Sequence, residues 1–310
     1  MTNLRETLDD YLKIRRALGF LLHDHEAVLR DFVDDLDRAG LDHITTEHAL
    51  AWATKPVGVQ PYRWKARLSM VGGFAAYVKA LDPLTEVPAT DLLGYRYSRP
   101  TPYLYSQVEI DRLLAAAGEL RPRRRAMTHQ TLFSLLAVAG LRVGEAIRLD
   151  RVDVEFGTGL LTVRDTKFKK SRRLPLHPST VHALARYAEQ RDHHFPRPQT
   201  ESFFVSVRGA RLLDTHVHAT FREVVRLAAI QPRSTACRPV MHGLRHSFAV
   251  NTLLRWYQSD ADTDVGTNLP LLSAYMGHVS PASTYWYLEA APELLALVSQ
   301  RLERVVEALP

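Results

Sequence analysis

Hydrophobic positions in the first 95 residues recur at helical spacing. Leu4, Leu8, Tyr11, Leu12 and Leu18 read as one helical stripe, with Gly19 suited to a stop. Val28, Leu29, Phe32, Val33 and Leu36 mark a second helix that ends at Gly40. Thr45 or Thr46 can cap a third, with Glu47 and His48 in its first turn. A fourth is expected over 62–80. Prolines 83, 88, 100 and 102 then discourage continuous helix. The break between two domains therefore falls in this region: a helical domain over 1–95, a linker over 96–102 and a second domain over 103–310.

The second domain opens with a helix after Ser106, where Glu109 occupies the capping-box position. Apolar helical stretches follow at 128–139 and 144–149, separated by AGLR, with Gly140 at the first helix's end. The period then shortens. Residues 152–154, 160–163 and 172–176 read as short strands joined by turns at 157–159 and 167–171, with a further short strand possible at 203–205. Helical patterning returns at 178–192, at 214–229 and from His242 onward, interrupted by the polar, acidic stretch QSDADTDVGTN. The expected fold is mainly α with a small antiparallel β-sheet.

Charge sharpens this division. The chain carries a net +6, but residues 1–95 hold 11 Lys/Arg against 14 Asp/Glu, so the basic excess lies entirely in the second domain. A basic domain suits a polyanion, although a solvated basic surface gives the same count. No run of 18 apolar residues appears, which argues against a membrane span, and the polar start MTNLRETLDDYL is unlike a signal peptide. The single cysteine, Cys237, leaves no internal disulfide and no Cys-rich zinc site. A cytoplasmic setting is the simplest expectation.

Candidate chemistry clusters in four stretches. LRVGEA (141–146) places Arg142 at a helix–helix corner with Glu145 near enough to orient it, the alternative being a surface ion pair of little energetic consequence. TKFKKSRRLPL (166–176) gathers Lys167, Lys169, Lys170, Arg172 and Arg173 in a strand–turn–strand, suited to phosphates or equally to a solvated turn guarding a sheet edge. MHGLRHSFAV (241–250), if helical, puts His242, Arg245 and His246 on one face. A metal pair of His242 and His246 is conceivable, but no HExxH-like Glu accompanies them and an intervening Arg repels a cation. Arg with His suits an anion better. In the first domain, Arg63, Lys65 and Arg67 mix with aromatics near the start of the fourth helix. They fit phosphate contact and snorkelling side chains about equally.

GHVSPASTYWYLEA (277–290) adds His278 and two tyrosines, Tyr285 and Tyr287. A phenol of ordinary pKa, about 10, is a weak nucleophile at neutral pH unless positive charge and an activated electrophile adjoin it. Two residues apart on a helix means about 200° of rotation, so both phenols cannot face one phosphate.

Taken in order, Arg142, Lys167, His242, Arg245, His278 and Tyr287, within GLRVGEA, TKFKKSRRLPL, HGLRHSFA and YMGHVSPASTYWYL, resemble the tyrosine recombinases, also called the phage integrase family. The resemblance covers most of the chain. It implies a helical core-binding domain joined to a tyrosine-recombinase catalytic domain. Xer-type hairpins of the form GKGxKxRxVPL make Lys167 the catalytic lysine, and the family's His-to-Tyr spacing of nine selects Tyr287. The implied chemistry is site-specific cutting and rejoining of double-stranded DNA through a 3′-phosphotyrosyl intermediate. Arg142 and Arg245 would clamp the scissile phosphate and His242 and His278 would add hydrogen bonds. Lys167 would protonate the leaving 5′ oxygen, His242 would help take the tyrosine proton, and Glu145 would orient Arg142. Neither metal nor other cofactor is implied.

The resemblance further implies a homo-tetramer on DNA, with the terminal helix exchanged between neighbours, and room for accessory recombinases; the amphipathic segment 291–309 could dock in a neighbour, the favoured reading, or fold back on its own domain. The long acidic stretch 256–268 departs from the short turn of Xer-like proteins and, with the HVSPASTYWYLEAAPEL ending, looks more like recombinases of transposons and other mobile elements. Rival readings are a type IB topoisomerase or telomere resolvase, a catalytically silent DNA-binding regulator of the same fold and, remotely, a metal hydrolase.

Overall fold

The computed structural model describes residues 3–20, 22–94, 101–164, 171–258, 265–278, 280, 282–290, 294–297 and 299. The chain forms two compact units, Met1–Arg99 and Pro100–Pro310.

The first unit is four helices: α1 (Leu4–Ala17), α2 (His23–Arg38), α3 (Thr46–Thr54) and α4 (Pro61–Lys79). Their starts follow local chemistry. The Asn3 side chain accepts from the backbone N–H groups of Arg5 and Glu6, and Thr45 accepts from that of His48 at 3.2 Å. Leu4, Leu8 and Leu12, four residues apart, form the buried stripe of α1 and pack with Phe32, Val33, Leu36, Trp52, Phe74 and Val78. Leu18 lies beyond the end of α1 and is 69% exposed, so it does not belong to the stripe as its spacing suggested. Among the described residues of this unit, one charged side chain is buried. Asp35 is buried and held by Lys55 at 2.7 Å and His48 at 3.1 Å.

The second unit begins with α5 (Gln107–Gly118), α6 (Arg123–Ala139) and α7 (Val143–Arg148). The capping box at α5 is formed, with Ser106 Oγ accepting from the Glu109 N–H and the Glu109 carboxylate accepting from the Ser106 N–H. A 3-10 turn (Arg151–Asp153) leads into β1 (Val154–Glu155), β2 (Leu160–Val163) and β3 (Arg172–Pro175), an antiparallel sheet in that order. Leu161 pairs with Leu174 and Val163 with Arg172. Then come α8 (Pro178–His194), α9 (Asp214–Leu227), α10 (His242–Gln258), α11 (Val265–Met276) and α12 (Ala282–Ala290), with helical residues again at 294–297 and 299. The stretch 256–268 is thus helical at both ends, through Gln258 and from Val265, and its middle lies outside the described residues.

Residues 203–205 do not form the expected strand. Only isolated bridges, Asp150 with Ser202 and Val205 with Arg211, flank them. Ser202, Phe203, Phe204 and Val205 are all buried, an arrangement without the alternation of a half-exposed strand, and both Phe rings pack on Tyr187.

α6 carries much of the core. Leu132, Phe133, Leu135 and Leu136 are buried, and Phe133 meets Phe221 of α9 edge-on at 5.2 Å. Each such side chain contributes about 1.5–3 kcal/mol. Two further contacts fix the α10 N-terminus. The Tyr105 N–H donates to Ser247 Oγ at 2.6 Å and the Tyr105 hydroxyl to the Val240 carbonyl at 3.1 Å. Where α6 ends, Gly140 takes φ +58, and a Cβ there would lie 2.4 Å from Phe248 Cδ1. That conformation aims the Gly140 carbonyl toward α10.

Gly140→Ala is expected to lower stability by about 2 kcal/mol or more, from the left-handed backbone plus overlap with the Phe248 ring. Gly159→Ala, at φ +68 with its nearest atom 3.6 Å away, should show only the smaller backbone cost. Denaturant midpoints of the two variants check the difference.

Candidate active site

The corner between α6 and α7 places Arg142 on the last residue before α7. Its guanidinium donates to Glu145 Oε1 at 2.9 Å and to the Gly277 carbonyl at 3.2 Å. Of five guanidinium N–H groups, the remainder stay available. Arg245 comes from the first turn of α10 and is 2% exposed. It donates to two backbone carbonyls, Gly140 at 2.5 Å and Met276 at 2.7 Å. These are dipoles, not charges, and no salt bridge neutralises Arg245 among the described residues. Burial, then repulsion from Arg142, pushes its pKa down to about 10, so it still carries its charge at neutral pH.

Glu145 supplies the pocket's anion. Its carboxylate accepts from the Arg142 backbone N–H at 3.0 Å, the Arg142 guanidinium, and both terminal nitrogens of Arg172 at 3.2 and 2.9 Å. Burial alone would raise the Glu145 pKa, but Arg172 and then Arg142 outweigh it and bring it down to about 2. Arg172 Nε also donates to the Tyr275 carbonyl at 2.8 Å. Gly277 is required beside this fork: it takes φ +67, and a Cβ would lie 2.7 Å from Arg172 Nη1.

His242 opens α10 and keeps solvent access. The protein around it, then the fields of Arg245 and Arg142, hold its pKa down to about 4. His278 follows the turn after α11, and its Nδ1 meets Thr284 Oγ1 at 2.7 Å. Desolvation and the same two arginines push His278 to about 4 as well. Both imidazoles are therefore neutral at pH 7. Tyr287 of α12 is 2% exposed, whereas Tyr285 is 52% exposed, as a 200° separation requires. The Tyr287 ring stacks on His278 at 6.0 Å, its hydroxyl lies 3.3 Å from His246 Nδ1, and it acts electrostatically on Arg245.

Five of the six residues singled out in the sequence thus share one pocket: Arg142, His242, Arg245, His278 and Tyr287. Lys167 lies outside the described residues, as do Lys169 and Lys170. Glu145 contacts Arg142 as its spacing suggested. Arg172, grouped with the phosphate-contacting cations, instead points inward at 13% side-chain exposure and clasps Glu145. The strand alternation put it on the opposite face from exposed Arg173, which pairs with Glu155. In the other unit, Arg63 is exposed, Lys65 is half-buried and Arg67 packs its guanidinium 3.6 Å over the Trp52 ring beside Asp31. For Arg67 the packing role is the one realised. Thr284 escaped the sequence reading, though its place in the first turn of α12, six residues after His278, was the available signal. Among the described residues no group of three or more His, Cys, Asp or Glu side chains could hold a metal ion, and no helix is long and apolar enough to cross a membrane.

The comparisons give the class: the phage integrase family model matches residues 104–293, and the chain belongs to that family as a tyrosine-type site-specific recombinase. The family's activity is site-specific cleavage and rejoining of DNA. A Sinorhizobium fredii protein provisionally designated integrase/recombinase y4rB is 43% identical over 98% of both chains. The tyrosine recombinase XerD of Caulobacter vibrioides is 27% identical over 96% of this chain and 90% of its own. Among solved structures, the Tn1549 transposon integrase in complex with transposon right end DNA superposes with a TM-score of 0.67 at 16% identity, covering 97% and 99% of the two chains. A lambda integrase tetramer bound to a Holliday junction gives 0.63 at 18% identity, covering 92% and 77%.

Two predictions follow from the pocket's charge. Because His242 and His278 titrate near 4 when folded and near 6.5 when unfolded, the unfolded chain binds more protons between those values. Folding stability should therefore be full above about pH 6.5 and decline as pH falls toward 4; an imidazole NMR titration without DNA should place both near 4. Removing one partner of the buried pair in Arg172→Ala should cost about 3–5 kcal/mol by denaturant unfolding, whereas Arg173→Ala on the exposed face should cost under about 1 kcal/mol.

Proposed function

We propose that this chain recombines DNA at specific sites by attack of Tyr287 on a scissile phosphate, leaving a 3′-phosphotyrosyl link and a free 5′-hydroxyl. The observation that carries the reading is the pair Arg142 and Arg245, converging beside Tyr287 where, among the described residues, Glu145 is the one carboxylate offsetting the charge of three arginines. Such a pocket favours a phosphodiester and gains further as negative charge builds on the pentavalent phosphorus. Arg142 offers its unused N–H groups to one non-bridging oxygen and Arg245 stabilises the other. His242 and His278, neutral at pH 7, serve as hydrogen-bond donors. Lys167 protonates the departing 5′ oxygen. The phosphotyrosyl link conserves the energy of the broken diester, so rejoining to another strand needs no nucleotide triphosphate.

We assign the partner as double-stranded DNA carrying recombination sites, gripped by both units, with Arg63 and Lys65 of α4 and Lys169, Lys170 and Arg173 of the hairpin on its backbone. A tetramer on DNA is the working assembly, supported by the lambda integrase likeness. In it, segment 291–309 of one protomer would seat on its neighbour. An apolar groove of about 1110 Å³, lined by Ile110, Leu114, Val138, Leu254 and Leu271, is the seat we assign. A mobile-element role is supported by the integrase/recombinase relative and the transposon integrase likeness. A silent regulator is the weaker reading, because the pocket keeps its arginines, histidines and tyrosine together.

On a nicked suicide substrate, the wild-type chain should form a covalent DNA adduct that persists in Tyr285→Phe and disappears in Tyr287→Phe with DNA binding retained. Loss in Tyr285→Phe alone would refute the assignment. Arg142→Ala should slow adduct formation by about 10²-fold or more.

A further inference from the structure

We infer that His246 is a catalytic residue: the imidazole that holds the Tyr287 hydroxyl and takes its proton as the tyrosine attacks. This rests on the assignment of Tyr287 as nucleophile. His246 follows Arg245 on α10, about 100° further round the helix. Arg245 turns toward the carbonyls of Gly140 and Met276, while His246 turns toward α12. Its Nδ1 lies 3.3 Å from the Tyr287 hydroxyl, a length that commonly tightens once substrate is bound.

Three rings fix its orientation. The His242 ring stands edge-on 4.5 Å away, Trp286 edge-on at 5.2 Å, and the Tyr287 ring is tilted at 5.5 Å. The two other imidazoles of the pocket are differently employed. His278 stacks on Tyr287, but its Nδ1 is engaged with Thr284. His242 is desolvated and lies in the field of Arg245 and Arg142, the two groups placed for the phosphate, and it is His246 whose ring nitrogen meets the Tyr287 hydroxyl. The pocket thereby divides its labour: His242 and His278 toward phosphate oxygens, His246 toward the nucleophile.

The step balances. The Tyr287 Oη–phosphorus bond forms as the bond from phosphorus to the 5′ oxygen breaks. The phenolic proton passes to the Nδ1 lone pair of a His246 that carries its other proton on Nε2, giving an imidazolium. The leaving 5′ oxygen takes a proton from Lys167. On rejoining, the attacking 5′-hydroxyl returns a proton to Lys167 and His246 returns its own to the phenol.

The test is single-turnover adduct formation by the full chain on two suicide substrates, one ordinary and one with sulfur replacing the bridging 5′ oxygen at the scissile position. The thiolate leaves without a proton, so the second substrate isolates deprotonation of the nucleophile. His246→Phe removes the acceptor; His246→Asn keeps a hydrogen-bond acceptor near the Nδ1 position but cannot take a proton. Both variants should form adduct about 10²-fold more slowly or worse on both substrates, with DNA affinity within about twofold of wild type. Lys167→Ala should be slow only on the ordinary substrate. Wild-type rates in His246→Asn would overturn the inference, as would rates within about threefold in His246→Phe. Absence of any adduct with the unaltered chain, or its persistence in Tyr287→Phe, would instead overturn the assignment of Tyr287 itself.

Discussion

The Glu145 carboxylate ties the pocket together. It is 3% exposed and takes four hydrogen bonds, two from Arg142 and two from Arg172. A carboxylate so deeply placed is costly unless every lone pair is answered by a charged or fixed donor. Satisfying it forces α7, which carries Glu145, to meet β3, which carries Arg172. Arg172 reaches on to the Tyr275 carbonyl and Arg142 to the Gly277 carbonyl, so the end of α11 is drawn to the same point. Three segments separated by up to 135 residues are thereby set in register around one anion. Lys167 lies five residues before Arg172 in the sequence, and His278 directly follows Gly277.

That arrangement leaves a surplus of positive charge. Among the described residues Arg245 has carbonyl dipoles but no salt bridge, and Arg142 shares its carboxylate with Arg172. Burial first, and the surplus second, show in the neighbours: two imidazoles held near pKa 4 and a guanidinium brought down to about 10. A pocket in this state is less stable than a neutralised one would be and binds an anion with the difference. Local features sustain it. Gly140 ends α6 in the left-handed conformation that aims its carbonyl at Arg245, and Gly277 leaves room for Arg172.

Much of this could be read in the chain beforehand, and the parts that could not share a cause. Helices announced themselves by period and by caps such as Ser106 with Glu109, because those signals are local. The antiparallel hairpin of β2 and β3 was legible for the same reason. Leu18 and the run Phe203–Val205 misled because apolar residues packed from a turn or a loop look like those packed from a helix or strand. Arg172 was misplaced because a cation in a basic hairpin gives no sign that a buried carboxylate waits across the fold. His246 was visible as part of a histidine-rich turn, but its partner, Tyr287, lies 41 residues onward and only tertiary structure brings them together. The order Arg142, His242, Arg245, His278, Tyr287 was legible as a pattern; the Glu145–Arg172 pair that positions it was not.

The nucleophile's own support bears on any exchange of the terminal segment. Tyr287 and Leu294 belong to one buried cluster with Val250, Leu253, Leu272 and Met276 of the same chain. Seven residues separate them, so an event that lifts Leu294 from this cluster also loosens the packing of α12. Exposing one leucine costs about 1.5–3 kcal/mol. If a neighbour's segment replaces it, the loss is refunded and the swap is nearly neutral in free energy; if none does, α12 stays tied to its own domain by Leu294. A segment handed on only beyond Leu294 would leave Tyr287 in its own pocket while linking protomers. One handed on from before Leu294 would make the seating of each tyrosine depend on the protomer next to it. Where the chain crosses over relative to Leu294 therefore decides whether the pocket is complete within one protomer.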